Sequence, residues 1–195
     1  MNDRLEDTLN GSAGQIALLD QVMKLSARDL IFLAVPLLVL LWFWPLGEEE
    51  RALNQRVAAS VVMATIIALL LNSLVGRLHQ EARPFVSDVS TRLLIPHSTD
   101  NSFPSEHATF AFAVAAAMLR WRRLLGTIAL AGAFIVGISR VYVGVHWPSD
   151  IAVSAAIGTL VGASLAAAMP LLVRAQLVLS RFLPRPLIAR PADYH

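Results

Sequence analysis

Residues 124–143 read LLGTIALAGAFIVGISRVYV, an apolar run whose single charge is Arg140. A helix of about 20 mainly apolar residues is long enough to cross the hydrocarbon core of a bilayer. Four other apolar runs approach this length, at residues 30–46, 57–75, 107–119 and 151–173. The sequence therefore predicts an all-α fold, a multi-pass membrane helix bundle with about five transmembrane helices.

The composition of the chain agrees with this fold class. Apolar residues make up 56% of its 195 residues, charged residues make up 15%, and the mean hydropathy is +0.60. Soluble domains carry about 25% charged residues, so these values argue against a water-soluble enzyme and exclude a disordered chain, a coiled coil or a collagen-like fibre. Cysteine is absent, which excludes a disulfide framework, a thiol nucleophile and a thiolate metal site.

The basic residues indicate which side of the membrane each loop occupies. All of them except Lys24 are arginine, and the sequence pI is about 9.7. They flank apolar runs and form no stripe with aromatic residues, which favours a membrane protein over a nucleic-acid-binding protein. Because cytoplasmic loops are enriched in positive charge, we expect the loop 120–123 and the tail 174–195 to face the cytoplasm. Five spans then place the N-terminus and the loops 76–103 and 139–150 on the outer face.

We predict a single integral-membrane domain over residues 1–195. Within it, residues 1–28 are too polar to span a bilayer but place apolar side chains, such as Leu19 and Met23, near helical spacing. We expect this segment to form an interfacial amphipathic helix. The same polar, mixed-charge stretch gives no sign of a cleavable signal peptide. The sequence does not indicate an oligomeric state.

Three clusters of polar residues lie near the predicted outer ends of the helices. Ionisable groups at membrane depth are costly, so they are candidates for function. Each cluster also has a structural explanation when it is taken alone: an interfacial arginine, a histidine that caps a helix, or an arginine–aspartate ion pair. Their convergence on one face favours a shared site. The clusters are Arg83-Pro84-Phe85, Phe103-Pro104-Ser105-Glu106-His107, and Ser139-Arg140 with His146 and Asp150.

These residue types fit phosphoryl transfer. Arginine forks suit the oxygens of a phosphate, and a third helix that begins at Pro104 would aim backbone N–H groups and the Ser105 hydroxyl at an anion. Two histidines offer a nucleophile and an acid, and Asp150 could fix the tautomer of His146 if the segment after Pro148 is helical. No carboxylate cluster suited to Mg²⁺ and no zinc-ligand spacing accompany them, so we expect chemistry without a metal or another cofactor.

The three clusters resemble the three-part signature of the type 2 phosphatidic acid phosphatase superfamily. The stretches 100–110 and 79–85 are similar, more closely, to the bacitracin-resistance type of undecaprenyl-diphosphate phosphatase. The resemblance implies hydrolysis of undecaprenyl diphosphate to undecaprenyl phosphate and phosphate. This reaction would take place at the outer face of the bacterial inner membrane and would return the carrier lipid for peptidoglycan synthesis.

The resemblance also implies a role for each matching residue. His146 would attack the terminal phosphorus and become a phosphohistidine, with Asp150 orienting its ring. His107 would protonate the leaving group and then activate water. The groups that would hold the phosphate are Arg83, Ser105, Arg140 and the backbone of Glu106 and His107.

Two positions depart from the superfamily pattern. Gly76 stands where the superfamily often has lysine, and the neighbouring Arg77 is the candidate to supply that phosphate contact. Glu106 stands where the superfamily usually has glycine. An acid beside a phosphate is repulsive unless it points away or meets a cation, so we expect Glu106 to meet a diphosphate-proximal group or an arginine.

Other functions are compatible with the same residues. A phosphatase for phosphatidic acid or phosphatidylglycerol phosphate, or a lipid phosphotransferase, would use the same first step. A non-enzymatic lipid carrier would use a basic outer vestibule for binding alone and would tolerate the loss of His146. In each case the expected partners are the membrane and an isoprenoid or phospholipid in the bilayer, and no nucleic acid.

Overall fold

The computed structural model describes residues 2–44, 47–184 and 187–189. All regular structure within these ranges is helical, which confirms the predicted all-α class. The ends of two predicted segments, at residues 45–46 and at 185–186 with 190–195, lie outside the described residues. The helices are α1 (Asn2–Asn10), α2 (Ala17–Arg28), α3 (Ala34–Phe43), α4 (Glu48–Leu78), α5 (Pro84–Ser87), α6 (Glu106–Leu119), α7 (Arg123–Tyr142), α8 (Pro148–Ala167) and α9 (Met169–Leu179), with a 3₁₀ turn at Leu30–Leu33.

Among the described residues, three or four segments could span a membrane, compared with the five spans that the sequence predicts. Three helices, α4, α7 and α8, are long and apolar enough to cross a bilayer, and α2 with the segment Leu30–Phe43 would form a fourth span with a bend of 56°. The run 107–119 corresponds to α6, which has only 14 residues. The run 151–173 is interrupted after Ala167, because Pro170 near the start of α9 has no N–H to continue the helical hydrogen bonds.

The N-terminal segment forms two helices where the sequence predicts one. Gly14 has a φ of 78°, a conformation that favours glycine, and it lies in the turn that separates α1 from α2. Both helices pack against α7. The side-chain amide of Asn10 donates to the carbonyl oxygens of Arg92 and Tyr142, and the Tyr142 hydroxyl donates to Asp20. These bonds attach α1 and α2 to the end of the bundle at which α7 finishes.

Helix α6 is central to the bundle and contacts α4, α7 and α8. Two glycines of α8 allow its backbone to approach that of α6 closely. A Cβ atom at Gly158 would lie 2.5 Å from the Thr109 carbonyl oxygen, and one at Gly162 would lie 2.6 Å from the Ala113 carbonyl oxygen. Small residues four positions apart are typical of close helix contacts in membranes. The paired positions advance together along both chains, so α6 and α8 run parallel and begin at the same end of the bundle.

A buried polar link joins α4 to α6. The Thr109 hydroxyl donates to Asn72 Oδ1 at 2.7 Å, and Asn72 Nδ2 donates to the Pro104 carbonyl oxygen at 3.2 Å. Both side chains are buried. Burial of an amide is tolerated when its hydrogen bonds are made, so the link fixes the rotation of α4 relative to the segment that precedes α6.

We expect Gly158→Ala to lower the unfolding temperature of the detergent-solubilised protein. The added Cβ atom would overlap the backbone of α6, and overpacking of this kind costs about 1–3 kcal/mol. Gly132→Ala on α7 is the matched control, because nothing lies within 4 Å of a Cβ atom at that position. Unfolding followed by tryptophan fluorescence should separate the two variants, and equal unfolding temperatures would contradict the close packing of α6 on α8.

Candidate active site

The three polar clusters meet around one cavity of about 380 Å³, at the end of the bundle where α6 and α8 begin and α7 ends. Two further predicted site residues, Ser105 and Asp150, are fully buried in the segments that begin α6 and α8. Side chains that are distant in sequence therefore share one polar space. The predicted site residues that line the cavity are Arg77, Arg83, Glu106, His107, Arg140 and His146.

His146 lies in the turn between α7 and α8, and Asp150 holds its ring. Nδ1 of His146 is 3.1 Å from Asp150 Oδ2, and this oxygen also accepts hydrogen bonds from the Trp147 backbone N–H and the Ser102 hydroxyl. Pro148 begins α8, so Asp150 lies in the first turn and reaches back to the residues before the helix. Because a carboxylate accepts, Nδ1 carries the proton and Nε2 presents a lone pair.

Two guanidinium groups face this lone pair. Arg140 Nη2 lies 3.3 Å from His146 Nε2, and Arg83 Nη1 lies 3.5 Å from it. Arginine only donates hydrogen bonds, which agrees with the Nδ1-protonated tautomer. Two fixed positive charges beside an imidazole lone pair can hold a phosphate where that lone pair can attack its phosphorus.

Arg83 is only 5% exposed and uses most of its donors within the protein. Nε and Nη2 donate to Asp100 Oδ1 at 3.0 and 2.8 Å, Nη2 also donates to the Asn101 carbonyl oxygen, and Nη1 donates to that of Val145. The Ser98 hydroxyl and the Arg83 guanidinium lower the pKa of the Asp100 carboxyl group. Asp100 therefore stays ionised and orients Arg83.

Arg140, in the last turn of α7, is 3% exposed. Nη1 donates to the carbonyl oxygen of Ala27, near the end of α2, at 3.1 Å. Nη2 lies 3.0 Å from Nε2 of His97 as well as near His146. Within the part of the chain that the structure describes, Arg140 Nε is buried without a hydrogen-bond partner. An unmatched buried donor on a charged group is costly, so this N–H is suited to bind an anion.

The start of α6 supplies another set of donors. The helix begins at Glu106, one residue before the apolar run 107–119, and not at Pro104, the earlier start that the sequence allows. Ser105 has an extended backbone, with φ −74° and ψ 117°, and acts as the N-cap of a helix that begins at Glu106. The Ser105 hydroxyl is buried without a partner among the described residues. The first backbone N–H groups of a helix also lack partners within it. This hydroxyl and the helix N-terminus together suit an anion.

The two positions that depart from the superfamily pattern both lie at the cavity. A Cβ atom at Gly76 would lie 2.9 Å from the Phe103 carbonyl oxygen, and Asn101 Nδ2 donates to the Gly76 carbonyl oxygen at 2.9 Å. A lysine at position 76 would therefore need a shift of this segment. Arg77 and Glu106 are both exposed at the cavity, and the Glu106 carboxylate acts electrostatically on Arg140.

Four residues of the site are not identifiable from the sequence by residue type or spacing. They lie in one loop without periodicity, and the only signal is that three of them belong to the stretch 100–110 that carries the closer family resemblance. This loop contacts both arginines and the aspartate. The four residues are His97, Asp100, Asn101 and Ser102.

The buried charges determine the protonation of the groups outside the spanning helices. Burial is the main cause that lowers the pKa of His146 well below its ordinary value, and the positive charges of Arg140 and Arg83 lower it further. Burial and the nearby Asp150 raise the pKa of Glu81, which lies in the loop before α5. His146 is therefore a neutral base at neutral pH. Within the described ranges, no group of three or more His, Asp or Glu side chains is placed to hold a metal ion.

A membrane helix bundle with a His–Asp pair beneath two arginines defines a class of integral-membrane phosphoryl-transfer proteins. A family model described as the PAP2 superfamily matches residues 57–174. The chain therefore belongs to the PAP2 superfamily. The matched region includes every residue that the sequence predicts for the site.

Individual relatives agree with this assignment. The Escherichia coli (strain K12) protein YbjG is 37% identical over 125 residues, which cover 64% of this chain and 60% of YbjG. The undecaprenyl-diphosphatase BcrC of Bacillus subtilis (strain 168) is 31% identical over 162 residues, which cover 83% of this chain and 81% of BcrC. The crystal structure of Aquifex aeolicus LpxE matches with a TM-score of 0.69 and 25% identity, over 84% of this chain and 93% of LpxE. These matches confirm the resemblance that the three motifs indicate.

Proposed function

We propose that the protein hydrolyses undecaprenyl diphosphate to undecaprenyl phosphate and inorganic phosphate through a phosphohistidine on His146. The observation that carries this proposal is the orientation of the His146 ring, with Nδ1 bound to Asp150 and Nε2 facing two arginines. The name of the similar Bacillus subtilis protein, an undecaprenyl-diphosphatase, supports the choice of substrate.

In the first step, His146 Nε2 forms a bond to the terminal phosphorus. The bond from this phosphorus to the bridging oxygen breaks, and His107 gives a proton to the departing undecaprenyl phosphate. In the second step, His107 removes a proton from a water molecule whose oxygen attacks the phosphorus. The N–P bond breaks, phosphate leaves, and both histidines return to their initial protonation states.

The terminal phosphate would be held by donors that have no partner within the described structure. Arg140 Nε and the Ser105 hydroxyl are both buried and unpaired, and the first N–H groups of α6 directly follow Ser105, the N-cap of that helix. Arg83 Nη1 would add a further contact. Donors placed where charge develops in a transition state commonly contribute the largest share of the rate enhancement.

Arg77 and Glu106 would meet the outer part of the substrate. Arg77 is exposed at the cavity, where it would contact the second phosphate of a diphosphate. Glu106 would face an arginine, in agreement with its electrostatic effect on Arg140. No step of this mechanism uses a metal or another cofactor.

Purified protein in detergent with a chelator should release phosphate from undecaprenyl diphosphate faster than from phosphatidic acid or phosphatidylglycerol phosphate, offered in competition. We expect His146→Ala and His107→Ala to lower kcat/KM by at least about 10³-fold, as for other nucleophiles and acid–base residues. His79→Ala is a control on an exposed histidine that does not line the cavity.

Each alternative function predicts a different result in this assay. If the protein hydrolyses a phospholipid faster than undecaprenyl diphosphate, that phospholipid becomes the assigned substrate. Phosphate that appears on an added lipid acceptor would indicate a phosphotransferase. A non-enzymatic carrier would release phosphate at the background rate. A strict requirement for Mg²⁺ would contradict the metal-free mechanism.

The pH dependence of kcat/KM tests the role of His146. The first step needs the unprotonated ring, and the pKa of His146 lies well below the ordinary value of 6.5. As the pH falls, the neutral ring therefore persists, and we expect the midpoint of the acid limb below pH 6.5. Arg83→Gln removes one positive charge beside the ring and should move this limb to higher pH. A midpoint at or above 6.5 in the unmodified protein would contradict the assignment.

We further propose that the site faces the periplasm or the cell exterior, across the bacterial inner membrane. Arg122 pairs with Glu50 at 3.6 Å, at the end of the bundle opposite to the cavity. The loop 120–123 contains three arginines and no acid, a pattern typical of cytoplasmic loops. The cavity end would then lie outside.

The absence of cysteine from the sequence allows this orientation to be tested with single introduced cysteines. Cysteine introduced at the exposed Val89 should react with a membrane-impermeant maleimide in intact spheroplasts, whereas cysteine at the exposed Glu49 should react only after the cells are permeabilised. The cysteine-free parent controls for background labelling. The reverse pattern would refute the proposed orientation.

A further inference from the structure

His97 belongs to none of the three sequence clusters, yet it lines the cavity. It lies in the loop between α5 and α6, and its ring centroid is 6.5 Å from that of His146 at an interplanar angle of 77°. The ring is half-buried. The phosphatase mechanism set out above gives this third histidine no task.

The hydrogen bonds of His97 determine its tautomer. Nε2 lies 3.0 Å from Arg140 Nη2, and arginine can only donate, so Nε2 must present a lone pair. Nδ1 lies 3.2 Å from the Ser98 carbonyl oxygen, which can only accept, so Nδ1 carries the proton. His97 is therefore a neutral imidazole that accepts a hydrogen bond from Arg140.

This bond helps to fix the plane of the Arg140 guanidinium group. Nη1 is bound to the Ala27 carbonyl oxygen on α2, and Nη2 is directed to His97 Nε2. Among the described residues, the nitrogen of this group that has no hydrogen-bond partner is Nε. It lies on the same edge of the guanidinium plane as Nη2, and this edge can form a two-pronged contact with phosphate oxygens.

An imidazole suits this position better than a carboxylate would. A carboxylate would bind Arg140 more strongly, but it would place a negative charge beside the bound phosphate. A neutral acceptor holds the guanidinium group without that repulsion and leaves its positive charge available to the substrate.

We propose that His97 is a positioning residue that orients Arg140 for phosphate binding by accepting a hydrogen bond at Nε2. The proposal rests on the proposed phosphatase function of the same cavity. It requires that the side chain at position 97 offer a hydrogen-bond acceptor to Arg140. A direct contact from His97 to phosphate would instead demand a donor.

Three substitutions separate these requirements. Glutamine can offer its Oε1 atom near the place of Nε2, alanine offers nothing, and lysine offers only donors and a positive charge. With undecaprenyl diphosphate as substrate, we expect His97→Gln to keep kcat/KM within about threefold of the unmodified protein, and His97→Ala to lose about tenfold or more, as is typical when a charged group loses a hydrogen bond. His97→Lys should lose at least as much as His97→Ala.

Inhibition by orthovanadate, which resembles the five-coordinate transition state at phosphorus, provides a second readout. Its inhibition constant should rise in the alanine and lysine variants and stay near that of the unmodified protein in the glutamine variant. His79→Ala should change neither value, because His79 is exposed and does not line the cavity. Unfolding temperatures identify any variant that has lost its fold.

Unchanged activity in His97→Ala would overturn the proposal, and so would equal losses in the alanine and glutamine variants. Full activity in His97→Lys would indicate a direct donor to phosphate and would also overturn it. If the unmodified protein hydrolyses no lipid phosphate, the proposed function fails. The three His97 variants, with His79→Ala as the control, then test the role of His97 through calorimetric binding of orthovanadate, with the same order of affinities expected.

Discussion

The burial of two guanidinium groups beside one imidazole is the constraint on which this structure depends. Arg83 and Arg140 are 5% and 3% exposed, and buried charges are tolerated only when hydrogen bonds or opposite charges compensate them. Arg83 is compensated by Asp100 and two carbonyl oxygens, whereas the hydrogen-bond partners of Arg140 among the described residues are a carbonyl oxygen and imidazole nitrogens. The arginine that keeps an unpaired donor is thus the one whose charge is least neutralised by the protein. A buried, unpaired N–H on a charged group is suited to bind an anion.

Parts of the chain outside the three motifs supply hydrogen bonds to these buried groups. The loop 97–102 supplies His97 to Arg140, Asp100 to Arg83 and Ser102 to Asp150. The N-terminal segment supplies the Ala27 carbonyl oxygen and is itself held by Asn10 against the end of α7. Helix packing provides the frame, because the glycines of α8 and the link between Asn72 and Thr109 set α6 relative to α8 and α4. The geometry of the cavity is therefore a property of the whole bundle.

Residue types and spacing were sufficient to predict the helical class and the membrane location. They also named eight candidate site residues, which the structure brings to one end of the bundle and whose roles stay predictions. The predictions that fail concern where helices begin and end. Hydropathy alone gave no reason to end a helix at Ala167 or to divide the N-terminal segment, because these boundaries depend on Pro170 and on the turn at Gly14. Asp100 and His97 could not be predicted as site residues, because a polar side chain in an irregular loop has no periodic pattern from which its partner can be inferred.

The amino-acid sequence by itself determined which chemistry is available: apolar runs that require a bilayer, arginines suited to phosphate, and a histidine four residues before an aspartate at the start of a helix. These are properties of residue type and local spacing, and they act over a few positions of the chain. The tertiary structure alone decided that the unprotonated nitrogen of His146 faces the two arginines, which donor of Arg140 stays unpaired among the described residues, and which loop orients Arg140. Those features depend on contacts between segments far apart in the chain, such as Arg83 with Val145, 62 residues apart, and Arg140 with Ala27, 113 residues apart. Local sequence does not encode which distant segments will meet.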